Sequence, residues 1–167
     1  MKKLFLSISL AIFLLNVWAQ KQTFDVISYT APAKWQKVQN DGGIQLSVTD
    51  KKTNGYAIVL ITKATTSILS ANENFSNDWN RLVKAAVQVL DEPAMQAPST
   101  ENGWDLLSGA VNYTDGNDKG VATLLTATGG GQTASVVLMT NTQQYQNELL
   151  AFLNSLELTK ANSNAST

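Results

Sequence analysis

The fold class is decided by residues 70–90, which read SANENFSNDWNRLVKAAVQVL. Apolar side chains recur in this stretch at spacings of three and four residues, which places them along one side of an α-helix. These side chains are Phe75, Trp79, Leu82, Val83, Ala86, Val87 and Leu90. The stretch is therefore predicted to be the principal amphipathic helix of the domain.

Both ends of this helix carry sequence signals. Ser70 followed by Glu73 matches a capping box, in which the hydroxyl and the carboxylate satisfy backbone N–H groups at the helix start. Asp91-Glu92-Pro93 is expected to end the helix, because the residue before a proline is driven out of helical geometry. Short alternating apolar runs flank the helix, so its apolar side is predicted to pack on a sheet.

Residues 1–19 have the features of a secretory signal peptide. Lys2 and Lys3 supply a positive start, and residues 4–15 supply an apolar middle. Val17 and Ala19 then occupy the small-residue positions of a cleavage site. The apolar run is shorter than the ~20 residues that cross a bilayer, which disfavours a transmembrane anchor. We predict a periplasmic or secreted protein with no membrane insertion after cleavage.

The remaining chain is about one domain in length. Removing Lys2 and Lys3 from the 12 basic residues leaves 10 against 13 acidic residues, a net charge of −3. This mild acidity argues against nucleic acid or an anionic membrane as a partner. We predict a single domain over residues 20–160 and a disordered tail over residues 161–167, which are small and polar.

Three strands are predicted before the helix. Residues 24–29 are predicted to form the first strand, followed by a turn at residues 32–35 that returns a tryptophan to the core. Residues 44–49 alternate between apolar and polar side chains, which is typical of a strand with one wet face. Asn54-Gly55 predicts a tight hairpin. Residues 56–61 are apolar at both odd-numbered and even-numbered positions, so they are predicted to be a central strand that is covered on both faces.

Three strands and a helix follow the first helix. The strands are predicted over residues 104–113, 121–127 and 133–139. The second helix is predicted to begin at Asn141, whose side chain can cap it, with Gln144 three residues on. Its buried stripe is Tyr145, Leu149, Phe152, Leu153 and Leu156. The order βββ-α-βββ-α predicts an α+β fold, in which an antiparallel sheet of about six strands is packed by two helices.

Two short phrases in this order carry a family resemblance. The first is Tyr29-Thr30-Ala31-Pro32-Ala33-Lys34-Trp35, and the second is Phe152-Leu153-Asn154-Ser155-Leu156 in the last helix. The chain resembles the Mog1/PsbP-like group, whose exported bacterial members include DcrB-like domains. That group typically has Pro-x-Gly-Trp after the first strand, and Lys34 stands at its glycine. The resemblance implies an antiparallel sheet packed by helices and action by protein binding, without any specific binding residue.

The catalytic inventory is restricted, because the sequence contains no histidine and no cysteine. Ser-His-Asp triads and Cys-His dyads are therefore impossible, as are zinc sites built on histidine or cysteine. The composition still allows acid–base catalysis by paired carboxylates. Asp91-Glu92, Asp25 and Asp105 are better explained as surface charges. We predict a protein that is not an enzyme and has no cofactor or metal.

Two turns contain residues that also occur in ligand loops. Asp115-Gly116-Asn117-Asp118 offers several oxygen ligands but lacks the distal ligands of a calcium loop. Gly129-Gly130-Gly131 leads into a predicted strand, whereas a phosphate loop leads into a helix. Both segments are therefore predicted to be hairpin turns.

Trp35 and Trp104 are the candidate binding residues, because each lies beside a predicted turn where it can form the rim of a pocket. A tryptophan stacked on a sugar or on a partner's side chain would contribute binding energy; core packing is the alternative. We predict an exported non-enzymatic domain that binds an unidentified protein, as part of a cell-envelope or secretion-linked assembly. The alternative is a carrier of a small ligand or glycan in a helix–sheet pocket of roughly 300 Å³ or more. The sequence does not fix the oligomeric state.

Overall fold

The computed structural model describes residues 20–116 and 118–161. The predicted signal peptide and residues 162–167 of the predicted tail lie outside the described residues. Ala161 lies within them, and its backbone N–H donates to the carbonyl oxygen of Asn102 at 2.9 Å. No helix in the described ranges is long and apolar enough to cross a membrane.

The described chain contains thirteen strands and two α-helices. The strands are β1 Lys21–Phe24, β2 Ile27–Thr30, β3 Gln36–Asn40, β4 Gly43–Asp50, β5 Gly55–Thr62, β6 Thr65–Thr66, β7 Gln88–Val89, β8 Ala94–Met95, β9 Ser99–Glu101, β10 Trp104–Asp115, β11 Asp118–Gly129, β12 Gln132–Thr140 and β13 Glu157–Leu158. The helices are α1 Ala71–Asp78, continued by a π-helical turn over Trp79–Lys84, and α2 Gln146–Asn154, preceded by a 3-10 turn over Gln143–Tyr145.

Every strand pair is antiparallel. The main sheet has the order β3-β4-β5-β12-β11-β10-β7, with β6 paired to β12 and with β8 and β9 paired to β10. A small sheet has the order β1-β2-β13. The prediction of an α+β fold with an antiparallel sheet is confirmed, whereas the ten strands of the main sheet exceed the six predicted.

The main sheet separates two hydrophobic cores. The α2 core joins β4, β5 and β12 to α2 and the small sheet, and the α1 core joins β10, β11 and β12 to α1. β5 contributes to both: Ala57, Val59 and Ile61 belong to the α2 core, while Tyr56, Ile58 and Leu60 pack against the α1 core. The predicted central strand over residues 56–61 is therefore covered on both faces, as expected.

The first helix begins as predicted but ends early. Ser70 and Glu73 form the capping box, with the Glu73 carboxylate accepting from the Ser70 N–H at 2.9 Å. The helical segment ends at Lys84 instead of at residue 90, so the prediction of one helix over residues 70–90 is wrong. The chain then joins the edge of β10, where the Leu90 N–H donates to the Asn112 carbonyl oxygen at 3.2 Å. Leu90 is 51% exposed and lies outside the buried stripe.

The predicted first strand is a hairpin. Asp25 adopts a positive φ of 52°, which ends β1 and starts the turn into β2. The carboxylate of Asp25 accepts a hydrogen bond from the Ala64 N–H at 2.7 Å, and this bond holds the turn. The Asn54 turn is confirmed by its φ of 56°, but it closes a four-residue loop between Asp50 and Gly55 in place of a tight hairpin.

The second helix is capped one residue later than predicted. The Thr142 hydroxyl accepts a hydrogen bond from the Gln144 N–H at 3.2 Å. Asn141, the predicted cap, instead accepts from the Tyr56 N–H at 2.8 Å and donates to the Asn54 carbonyl oxygen at 3.1 Å. Its amide therefore joins the end of β12 to the start of β5. The prediction for Asn141 is wrong because this long-range pairing competes with capping.

Candidate functional site

An open groove of about 520 Å³ lies beside α2. The groove arises because the α2 core takes its sheet residues from β4, β5 and β12, which leaves the same face of β10 and β11 without a helix above it. Val121 and Thr123 pair across the sheet with Thr140 and Leu138. Cross-strand partners share a face, so these side chains point toward α2. Val121 is 44% exposed.

The walls of the groove are apolar. Leu138 and Leu149 are buried at its floor, and Leu150 and Leu153 of α2 form one side. Leu150 is 49% exposed. The groove therefore presents apolar surface to solvent on both the helix and the sheet side.

The rim of the groove is polar. It is formed by Asn112, Lys119, Thr140, Asn141, Thr142, Gln143 and Gln146. Internal hydrogen bonds fix part of this rim, since the Thr140 hydroxyl donates to the Tyr56 carbonyl oxygen at 2.7 Å and Asn141 bonds β5. A rim that is held in this way is pre-formed, as ligand sites usually are.

Below the rim, on the α1 side of the sheet, two tyrosine hydroxyls meet. The hydroxyl oxygens of Tyr56 and Tyr113 are 2.5 Å apart. Burial raises the pKa of Tyr113 far above its ordinary value, and the Tyr56 hydroxyl and the nearby Asp115 and Asp118 carboxylates raise this pKa further. The Tyr113 ring lies over Gly120, where a Cβ atom would overlap it. The Tyr113 ring therefore packs against the start of β11.

The two candidate tryptophans do not lie at the groove. Trp104 is 1% exposed, and its indole N–H donates to the Thr159 carbonyl oxygen at 2.7 Å, so it is a core residue instead of a rim residue. Trp35 is half-buried and packs edge-to-face on Tyr145, with ring centroids 6.1 Å apart. Trp35 follows Lys34, whose φ of 69° lies in the left-handed region that favours glycine.

A buried polar cluster, which the sequence analysis missed, joins α1 to the sheet. Asp78 is 6% exposed and accepts hydrogen bonds from the Ser135 hydroxyl and from Arg81, each at 2.7 Å. The Ser135 hydroxyl oxygen is 2.9 Å from that of Thr126. A carboxylate is expected to be buried only when it is paired in this way. No sequence signal marks the cluster, because Asp78 reads as part of the polar side of a helix.

The candidate acid–base groups are scattered. Asp25 and Asp105 are both exposed, as are Asp91 and Glu92. Within residues 20–116 and 118–161, no three acidic side chains come together as a metal site would require. Asn117 of the predicted turn lies outside the described residues.

The fold and the groove together define an α+β domain whose antiparallel sheet is covered by one helix on each face. No family model and no curated protein matches the sequence. Among solved structures, the crystal structure of LpqN, described as involved in cell envelope biogenesis of Mycobacterium tuberculosis, is similar over 77% of this chain and 78% of its own. The sequence identity is 12% and the TM-score is 0.45, so this likeness carries no argument about function. The Mog1/PsbP-like assignment stays a prediction.

Proposed function

We propose that this chain is an exported, non-enzymatic binding domain that carries an amphipathic small molecule in the groove beside α2. The observation that carries this proposal is the groove itself, an open space of about 520 Å³ with leucine walls and a hydrogen-bonded polar rim. Its volume falls within the ~300–1,000 Å³ that is usual for small-molecule sites. Export rests on the signal-like residues 1–19.

An amphipathic ligand fits the groove better than a glycan does. Sugars are commonly held by stacking on exposed aromatic rings, and neither Trp35 nor Trp104 lines the groove. The side chains that do line it offer leucine methyl groups below and amides above. Such a lining favours a molecule with an apolar body and one polar end.

The non-enzymatic part of the proposal is supported by the residues at hand. Histidine and cysteine are absent from the sequence. Two contacts between a serine hydroxyl and a carboxylate are described. Ser70 with Glu73 is the cap of α1, and Ser135 with Asp78 lies under α1 on the face of the sheet opposite the groove. Ser135 is fully buried there, so a substrate has no access to its hydroxyl.

Titration with N-phenyl-1-naphthylamine, a neutral apolar fluorophore, tests the proposal. We expect saturable binding, and we expect Leu150→Gln to weaken it by roughly 5- to 30-fold, since an apolar contact of a leucine is worth about 1–2 kcal/mol. Leu90→Gln is the matched control, because Leu90 is 51% exposed, close to the exposure of Leu150, but does not line the groove. Absence of saturable binding, or an equal loss in both variants, would refute the carrier.

Binding to another protein is the second candidate. Ile68 is 97% exposed and its neighbour Leu69 is 39% exposed, immediately before α1. Two adjacent apolar side chains in solvent favour a contact with another macromolecule. Affinity capture from envelope extracts with the wild type and with Ile68→Asp tests it. A specific protein that is lost with Ile68→Asp would support this candidate, whereas identical captures would exclude this loop as the docking site.

A further inference from the structure

We propose that the ligand of the groove is a single-chain amphiphile that ends in a carboxylate, and that Lys119 binds this carboxylate. The inference rests on the proposed function, because it names the chemical class of the molecule that the groove carries. Two observations support it: the positive charge of Lys119 at the rim of the groove, and the direction in which β11 presents the neighbouring side chains.

Among the described residues that line the groove, Lys119 is the only ionisable one, and no acidic residue accompanies it. It lies on β11 two residues before Val121, and side chains two apart on a strand share a face. Its partner across the ladder is the uncharged Thr114. The groove therefore carries a single positive charge at one end of an apolar surface.

The acidic residues near Lys119 point to the other face of the sheet. Asp118 directly precedes Lys119 and pairs with Asp115, so alternation directs both carboxylates away from the groove. Their influence on the pKa of Tyr113, which belongs to the α1 core, agrees with this direction. Among the residues that the structure describes, Lys119 forms no salt bridge.

The exposure of Lys119 fits a headgroup site. Lys119 is exposed at the rim, while Val121 and Leu150 provide apolar surface in the same groove. A ligand can then keep its charged end hydrated and bury its chain, as amphipathic groups prefer. The side-chain amides of Asn112 and Gln146 also line the groove and offer N–H donors to a carboxylate.

A carboxylate fits this rim better than a phosphate does. Phosphate sites usually combine several donors with arginine or with more than one cation. The only arginine of the chain is Arg81, and it is paired to Asp78 on the opposite side of the sheet. One lysine therefore matches one negative charge.

Displacement of N-phenyl-1-naphthylamine by a set of ten-carbon amphiphiles tests the inference. We expect decanoate to bind about 3- to 10-fold more tightly than decanol, because a partly exposed ion pair is worth about 0.5–1.5 kcal/mol. Decyltrimethylammonium should bind more weakly than decanol. The preference for decanoate should fall as salt is raised, since exposed charges are screened.

Lys119→Gln should remove the preference for decanoate and leave the affinity for decanol unchanged. Lys63→Gln is the matched control, because Lys63 is an exposed lysine that does not line the groove. If decanoate and decanol bind equally, or if Lys119→Gln preserves the preference, the carboxylate inference is overturned while the carrier stands. Tighter binding of decyl phosphate than of decanoate would overturn the choice of headgroup. If the wild type binds neither the fluorophore nor any amphiphile, the carrier itself is refuted.

Discussion

Single side chains decide how α1 is attached to the sheet. Asp78 is the carboxylate that faces the sheet, and two hydrogen bonds satisfy it there. Asn74, one helical turn earlier, is 4% exposed and donates to the Thr128 hydroxyl at 3.1 Å. α1 therefore docks with polar contacts along one line and with the stacked rings of Phe75 and Trp79 along another. Such contacts specify a single position of the helix, because each donor needs its acceptor.

Asp78→Ala should lower the free energy of unfolding by about 1–3 kcal/mol, because the buried Ser135 hydroxyl and Arg81 each lose a charged partner. Urea denaturation followed by tryptophan fluorescence measures this change. Asp91→Ala is the control, since Asp91 is exposed and should change stability by less than about 0.5 kcal/mol. Equal effects of the two substitutions would contradict a role for the cluster in stability.

Tyr113 should make the protein sensitive to alkaline pH. Its pKa is raised in the folded state, so it stays neutral there while it ionises in the unfolded chain above about pH 10. The associated stability is fully present below pH ~10 and is lost as pH rises further, by at most about 1.4 kcal/mol per pH unit. Tyr113→Phe removes this loss, so its unfolding free energy should decline less steeply than that of the wild type.

Urea denaturation at several pH values between about 8 and 11 provides this comparison. The slope is the readout, because Tyr113→Phe also removes the hydrogen bond to Tyr56 and lowers stability at every pH. Parallel curves for the wild type and the variant above pH ~10 would contradict the raised pKa.

At the level of elements, the start of α1 depends on its capping box. The Ser70 hydroxyl accepts from the Glu73 N–H at 3.3 Å, and Glu73 bonds back to Ser70. Ser70→Ala should cost about 1 kcal/mol, because it leaves a helix-start N–H group without its partner. Ser76→Ala is the control, since Ser76 is exposed within the helix and alanine is the better helix former. Thermal unfolding of the two variants measures the difference in stability. Equal melting temperatures of Ser70→Ala and Ser76→Ala would contradict a stabilising role of the cap.

Strands were predictable where burial imposes a pattern of apolar side chains, and turns were predictable where they require particular residues. β5 and β12 are apolar on both sides, and Gly130 and Gly131, with φ of 57° and 71°, supply the two positive φ angles of a two-residue hairpin. β3 was missed, because all five of its residues are exposed and it follows no apolar pattern. β7, β8 and β9 were missed for a related reason, since backbone pairing to the edge of β10 requires no particular side chain.

The site was less predictable than the fold. A groove beside α2 depends on which strands lie next to each other, and residues of β11, β12 and α2 meet there although they are distant in sequence. The periodicity of Leu149 and Leu153 predicted that they are buried. No local sequence signal showed that α2 leaves part of β11 uncovered. The position of Trp104 after a turn predicts a rim residue, whereas its indole N–H bonds the carbonyl oxygen of Thr159, which is distant in sequence.

On the scale of the whole molecule, the C-terminal segment joins the two sheets. β13 pairs with β2 of the small sheet, and the Thr159 N–H donates to the Val26 carbonyl oxygen at 2.9 Å. On the other side, the Thr159 carbonyl oxygen accepts from Trp104 at the start of β10, and Asn102 donates to the Leu158 carbonyl oxygen at 2.9 Å. Residues that follow α2 therefore fasten the small sheet to the main sheet.

Deletion of residues 157–167 should destabilise the domain by several kcal/mol, because it removes β13 and leaves the Trp104 indole N–H without its acceptor. Exposure of Trp104 should shift the tryptophan emission to longer wavelength. Hydrogen exchange should rise in β2, which loses β13 as a neighbour, and in β1, which pairs only with β2 among the described strands. Deletion of residues 162–167 is the matched control, since it keeps every contact described for this segment. Equal stability of the two truncated chains would mean that β13 does not hold the sheets together.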